Sequence, residues 1–262
     1  MAVAQQWHAD SFATLGRPRV AAVIPTLNEA EPIGEVIRAI PRDAVDEVIV
    51  VDSGSVDRTV ERAREAGAHI IEEPQRGYGR ACAAGARAAR DCGVIVFLDG
   101  DGSDRPELVP LLLAPILAGT HDFVVGTRTR GEREPGSMNM LQIAAGYAAG
   151  ALTRLRYGVA YSDMCAFRAI RREALDQLEM REMTYGWNLE MQMRAAAAGL
   201  RILEMPVACR RRLGGASKVS GTVIGTLKAA FRIGLTFARV AFARPPRGHS
   251  TAVRDRAAQE KS

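Results

Sequence analysis

Asp99 and Asp101 stand two residues apart, directly after the apolar run Val94–Leu98. In an extended backbone alternate side chains project from the same face, so both carboxylates can converge on one divalent cation as hard oxygen ligands. A cation held there could carry a diphosphate. The same Asp and Gly residues could also form no more than a polar turn. Position favours the chemical reading, because open α/β sheets bind ligands beyond the carboxyl ends of their strands. A second acidic turn, Asp52-Ser53-Gly54-Ser55-Val56-Asp57, follows the apolar run Val48–Val51. Two such strand ends in one sheet describe a crevice for a nucleotide.

The elements that would position these residues alternate regularly through the first half. Strands are predicted over Arg19–Ile24, Glu47–Val51, Ala68–Glu72, Val94–Leu98 and Phe123–Val125. Helices are predicted over Glu29–Ile40, Val56–Ala66 (begun by Ser55, with Asp57 in its first turn), Gly79–Cys92 and Pro106–Leu117. Such alternation implies a mostly parallel sheet flanked by helices, an α/β fold. The second half reads as helices over Met138–Tyr157 and Glu190–Ala198, an edge strand over Leu203–Cys209 and a long helix over Thr222–Phe242.

At 262 residues and 47% hydrophobic content, the chain can bury a substantial core. Four scattered cysteines without CxxC pairing or metal-ligand spacing argue against a zinc site or a disulfide framework, and fit a reducing compartment. The N-terminal residues have no basic segment followed by an apolar one, so no export signal is expected. The longest charge-free stretch, Pro135–Thr153, is diluted by Gly, Ser, Asn and Gln, so no membrane-spanning helix is expected. The net charge of +5 resides in the C-terminal part, where twelve basic residues from Arg210 to Lys261 meet only Asp255 and Glu260. That end should prefer anionic partners. Aromatic residues are not interleaved with the arginines, so nucleic acid is not the expected partner.

Assembled in order, the motifs resemble a known family. Pro25-Thr26-Leu27-Asn28-Glu29, Asp52 to Asp57, Arg76-Gly77-Tyr78-Gly79, Asp99-Gly100-Asp101 and Gly126-Thr127-Arg128 resemble the family 2 glycosyltransferases of GT-A fold. Asp163–Ala169, Trp187–Glu190 and Arg212-Leu213-Gly214-Gly215-Ala216-Ser217-Lys218 are similar to the branch containing dolichol-phosphate mannosyltransferase and its bacterial polyprenyl-phosphate relatives. The resemblance runs from about Val20 to about Lys218. Two departures are visible: Ser53 where many relatives carry a second Asp, and Ser103 where the dolichol-phosphate enzymes tend to have Gln.

The resemblance implies inverting transfer of a hexose from a UDP- or GDP-sugar, assisted by Mg²⁺ or Mn²⁺. Asp52 with Gly54, Gly77 and the turn of Pro25, Asn28 and Glu29 would hold the nucleoside; Asp99 would support the ribose or the metal. Asp101 would ligate the metal that bridges the two phosphates. It also implies that Arg128, Arg212, Ser217 and Lys218 engage an acceptor phosphate, a task suited to the planar fork of arginine. A polyprenyl phosphate or another phosphate-bearing acceptor is already ionised and needs positioning more than a base. A soluble hydroxyl acceptor, a glycerate or a saccharide, would require a base, and Glu190 at the start of its helix is the candidate; a solvated first-turn charge is the alternative. A catalytically silent nucleotide-sugar-binding protein and a nucleotidyltransferase are the other readings. The Gly-rich basic loop of the latter is missing after the first strand.

The expected organisation is a flexible N-terminus (1–17), a GT-A domain (18–220), an amphipathic helix (221–243) and a disordered basic tail (244–262). In the amphipathic helix Lys228, Arg232, Thr236 and Arg239 fall on one face and Ile224, Leu227, Phe231, Leu235, Ala238 and Phe242 on another. This pattern describes either a helix lying in a bilayer interface or one docked on the domain or a membrane-protein partner. A cytoplasmic enzyme, peripheral at the inner face of the cell membrane, is the expectation. Trp187 fits the core or the mouth of an acceptor site, and the methionines of the second half fit a greasy groove or the core.

Overall fold

A computed structural model of the protein describes residues 16–214 and 234–242. Seven strands form one sheet in the order β3-β2-β1-β4-β6-β5-β7. They are β1 (Val20–Thr26), β2 (Glu47–Asp52), β3 (His69–Glu72), β4 (Val94–Phe97), β5 (Phe123–Thr127), β6 (Arg168–Arg171) and β7 (Ile202–Pro206). Every pairing is parallel except those of β6, which runs against both β4 and β5. Six strands therefore point their carboxyl ends to one edge, and β6 enters the sheet from that same edge.

The helices are α1 (Ile33–Ala39), α2 (Thr59–Glu65), α3 (Tyr78–Ala88), α4 (Val109–Leu117), α5 (Met140–Tyr157), α6 (Arg172–Gln177) and α7 (Trp187–Ala197), followed by a helical segment over 234–242, here α8. The central strands are apolar at successive positions because both faces are covered. Val20, Ala22 and Ile24 pack beneath α1 and α4, through Ile33, Val36, Ile37, Leu112 and Ile116. Ala21 and Val23 face α3, α6 and α7, through Ala81, Cys82, Leu175, Trp187 and Met191. The small residues of α3 let it lie close to the sheet, and a Cβ on Gly85 would strike Val23 and Val51.

The departures from the sequence reading have local causes. The first helix begins at Ile33 rather than Glu29, because Asn28 adopts a left-handed conformation (φ 52°) and the chain bends at 27–28 and turns over 30–32 before the helix starts. The second begins at Thr59 rather than Val56. Ser55 does not cap it, since its hydroxyl is bound to the Asp52 carboxylate, whereas Asp57 receives the Thr59 amide at 3.0 Å. The helix predicted from Glu190 starts three residues earlier, at Trp187. The strand predicted over Leu203–Cys209 ends at Pro206, with Cys209 in a lone bridge to Arg133. β6 and α6 were not predicted. Of the long C-terminal helix, only 234–242 falls within the described residues.

Candidate active site at the carboxyl edge of the sheet

The sheet diverges at its centre, where β1 pairs with β2 on one side and β4 on the other. The turns leaving these strands form a crevice at that point, the usual position for a ligand in open α/β sheets. The β1 and β2 turns are laced together. Asn28 donates its amide to the Ser55 hydroxyl (2.8 Å) and its side-chain oxygen accepts the Val56 amide (2.9 Å). The Glu29 amide donates to the Thr59 hydroxyl at 2.8 Å and the Ala30 amide to Asp57 at 3.2 Å. Asp52 folds its own turn, accepting the Gly54 and Ser55 amides at 3.0 and 2.9 Å. Gly54 sits at φ +83°, which a side chain would strain. Pro25, near the end of β1, lies beside Val51 in the ladder.

Beyond β4 three carboxylates gather. The Asp104 carboxylate accepts the Asp99 amide at 3.0 Å, and Asp101 accepts the Ser103 amide at 2.8 Å. Burial, reinforced by Asp101 and Asp104, pushes the Asp99 carboxyl up to about 8. Asp104 is pushed up to about 6, first by burial and then by Asp101, against the Asp99 amide bond. Among the described residues no three acidic, His or Cys side chains stand together as a ready-made metal site, but Asp99 and Asp101 offer hard carboxylate oxygens of the kind that Mg²⁺ or Mn²⁺ takes.

Arg212 closes the crevice. Its guanidinium lies 2.8 Å from Glu29 Oε1 and 2.9 Å from Asp101 Oδ2, joining the turn after β1 to the turn after β4. The loop that carries it is pinned by the Leu213 amide on the Asp101 carbonyl (3.0 Å) and by Arg210 Nε on the Gly102 carbonyl (2.7 Å).

The model of the family described as "Glycosyl transferase family 2" matches residues 21–179. The chain belongs to glycosyl transferase family 2. Among its relatives, an undecaprenyl-phosphate mannosyltransferase of Micrococcus luteus is 33% identical, over 79% of this chain and 90% of that protein. A dolichyl-phosphate hexose transferase of Haloferax volcanii is 39% identical, over 74% of this chain and 84% of that protein. In fold, this glycosyltransferase matches glucosyl-3-phosphoglycerate synthase from Mycobacterium tuberculosis, crystallised with Mn²⁺, UDP-glucose and phosphoglyceric acid, at a TM-score of 0.71 and 22% identity, covering 90% of this chain and 82% of that one.

The other residues singled out in the sequence take different places in the glycosyltransferase. Arg128, the first residue past β5, grips Asp163 in a two-pronged ion pair, Nε to Oδ2 at 2.8 Å and Nη2 to Oδ1 at 2.9 Å, and its amide adds a third bond at 3.0 Å. Its fork is thus turned onto a carboxylate that is only 2% exposed. Burial pushes Asp163 upward, but the Arg128 bonds prevail and hold its carboxyl below the usual range. Glu190 is 0% exposed and does not face the crevice. Its oxygens accept the Arg181 and Glu182 amides (2.9 and 2.6 Å) and Arg194 Nε (2.9 Å), which makes it a structural anchor instead of an accessible base. Trp187 is core, edge-on to Phe97. Gly77 and Gly79 let the start of α3 approach the backbone of Glu182 and Met183, where a Cβ on either would collide. Ser217 and Lys218 lie outside the described residues. Sequence reasoning missed Asp104 and Asp163 as charged partners of the site. The spacing of Asp104, five residues after Asp99, was the available signal.

Proposed function

We propose that this family 2 enzyme transfers a hexose, with inversion, from a nucleotide-diphosphate sugar to a polyprenyl phosphate. The observation that carries the reading is the span from Glu29 through Arg212 to Asp101, which brings a guanidinium and the acidic turn together at the sheet's divergence point. The turns of Pro25, Asn28, Glu29, Asp52 and Gly54 form the nucleoside side of the crevice, and Asp99 and Asp101 would hold Mg²⁺ or Mn²⁺. That cation, when bound, supplies positive charge to the departing diphosphate. A phosphate oxygen of the acceptor attacks the anomeric carbon, the bond to the diphosphate breaks, and the nucleotide leaves. Since that nucleophile is already ionised, the burial of Glu190 costs the reaction nothing. Arg212 is suited to orient the acceptor phosphate bidentately, with Lys218 as the further candidate implied by family likeness.

The names of the Micrococcus and Haloferax relatives support a lipid-phosphate acceptor. The phosphoglyceric acid in the fold neighbour supports a second reading, a small phosphorylated glycerate. Both acceptors carry phosphate. The deciding assay offers radiolabelled UDP-glucose, UDP-galactose or GDP-mannose with Mn²⁺, and either polyprenyl phosphate or phosphoglycerate. Label in the solvent-extractable lipid, lost in Asp101→Ala, is the expected result; label only in phosphoglycerate moves the acceptor to the soluble class, and neither refutes transfer to phosphate.

A further inference from the structure

The longest helix among the described residues, α5, turns an apolar face to solvent. Met140, Leu141, Tyr147, Leu152 and Leu155 are exposed along it, Met140 at 79% and Leu155 at 86%. Ala144, Ala148 and Ala151 fill the exposed positions between them. The helix is firmly seated on its other side: Ala149 joins Leu189 and Met193 in a small core, and Gly150 lies directly against the Tyr161 carbonyl. An Asn139–Gln142 capping box closes its first turn. The exposed ridge is therefore a fixed surface, not a frayed segment.

α8 extends this surface. Arg156 Nε and the Tyr157 hydroxyl of α5 reach the α8 carbonyls of Ala241 and Val240. Phe242, 90% exposed, continues the apolar ridge where α5 ends. The two helices contain no Asp or Glu; Arg154 and Arg156 of α5 are exposed, whereas Arg239 of α8 is ion-paired with Glu182 in the loop before α7. A large exposed apolar face edged by Arg154 and Arg156 complements the headgroup boundary of an anionic bilayer. Contiguous apolar surface of this kind is uncommon on proteins that stay in water.

The face also begins at the crevice. α5 follows the loop leaving β5, and that loop is tied to the Arg212 segment by the Arg211 amide on Glu134 (2.6 Å) and Arg211 Nε on the Pro135 carbonyl (2.5 Å). Met140 lies five residues beyond Pro135.

We propose that the α5–α8 face docks this enzyme on an anionic lipid surface, with the N-terminal end of α5 set at the mouth through which a lipid phosphate reaches Arg212. This deepens the polyprenyl-phosphate reading and rests on it for its purpose. The apolar residues enter the headgroup boundary, and Arg154 and Arg156 remain at the level of the lipid phosphates. Among the described residues no helix is long and apolar enough to cross a membrane, so contact of this kind needs such a face.

The test is sedimentation of the full chain with vesicles of phosphatidylcholine alone or mixed with phosphatidylglycerol. The wild type should bind the mixed vesicles, with salt weakening the contact. Leu155→Asp should lower partitioning by about tenfold or more, since it removes an exposed leucine that would enter the headgroup boundary and adds a repelled charge. Arg154→Ala should lower it about fivefold on anionic vesicles alone. Both variants should keep wild-type nucleotide-sugar binding, which shows that they are folded. Unchanged partitioning of Leu155→Asp overturns the proposal. So does a wild-type dimer that Leu155→Asp dissociates and that ignores vesicles, since a second copy then covers the face. Transfer to polyprenyl phosphate dispersed in detergent separates the two ideas. Its absence in the wild type refutes the acceptor, whereas its persistence in Leu155→Asp, with transfer lost on vesicles, supports the surface.

Discussion

Replacing Arg128 with Gln should destabilise the enzyme more than it should impair any direct contact with substrate. The side chain binds Asp163 through two prongs at 2.8 and 2.9 Å, and Asp163 is only 2% exposed. Removing one partner of a buried pair strands the other charge, at about 3–5 kcal/mol. The Arg128 side chain keeps 21% exposure, so the low end, about 3 kcal/mol, is appropriate. For a chain of this length that is a fall of roughly 6–12 °C in Tm by differential scanning calorimetry. Adding Asp163→Asn should regain most of the loss, because the uncompensated charge is gone. The effect also has a pH signature. The folded Asp163 titrates below its ordinary value of about 3.9, so its contribution is complete above that value and is lost as the pH falls through the lower folded one. The wild-type and Arg128→Gln melting curves should therefore differ by a constant amount from neutral pH to about pH 5 and converge below about pH 4. An Arg128→Gln enzyme that melts with the wild type but loses acceptor affinity would refute this reasoning and return Arg128 to the substrate.

Arg212→Ala should tighten Mn²⁺ binding to the nucleotide-free enzyme by several-fold to about tenfold in titration calorimetry, since a guanidinium 2.9 Å from Asp101 Oδ2 must yield to the ion; weaker binding would show that Arg212 helps to build the metal site. Glu190→Gln should lower stability by about 2 kcal/mol or more, because it disturbs an acceptor of two amides and of Arg194. The shape of its pH–rate profile should match the wild type, and a missing limb would make Glu190 a base.

Much of the crevice is legible in the sequence because fully buried strands announce themselves as unbroken apolar runs, and β1, β2 and β4 do so next to their acidic turns. β6 does not. Its sequence, Arg168-Ala169-Ile170-Arg171, places a charge in the middle of the sheet. Only the fold supplies the carbonyls of Ala166, Cys165 and Asn188 that satisfy Arg168. The burial of Glu190 was not legible for the converse reason: helical position cannot tell a carboxylate turned to solvent from one turned onto the amides of a preceding loop. Asp163 lies 35 residues from Arg128, and no local pattern joins them. The starts of α1 and α2 were misplaced because the hydroxyls and carboxylates that cap a lone helix bind the neighbouring turn instead.

The reversed strand has a further consequence. Because β6 runs against β5, the chain leaves the sheet at Thr127 and re-enters at Arg168 on the same edge, and Arg168 lies opposite Val125 in the ladder. Residues 128–167 thus form a cassette whose two ends are anchored on adjacent strands, and closing a cassette of a different length between them changes the chain entropy only slowly with length. The turns after β1, β2 and β4 lie outside it. A fold divided in this way can exchange one such segment for another, with or without an exposed apolar helix like α5, while the crevice at the sheet's centre is carried over intact. Grafting this segment into another member of the family is the engineering route that the topology offers.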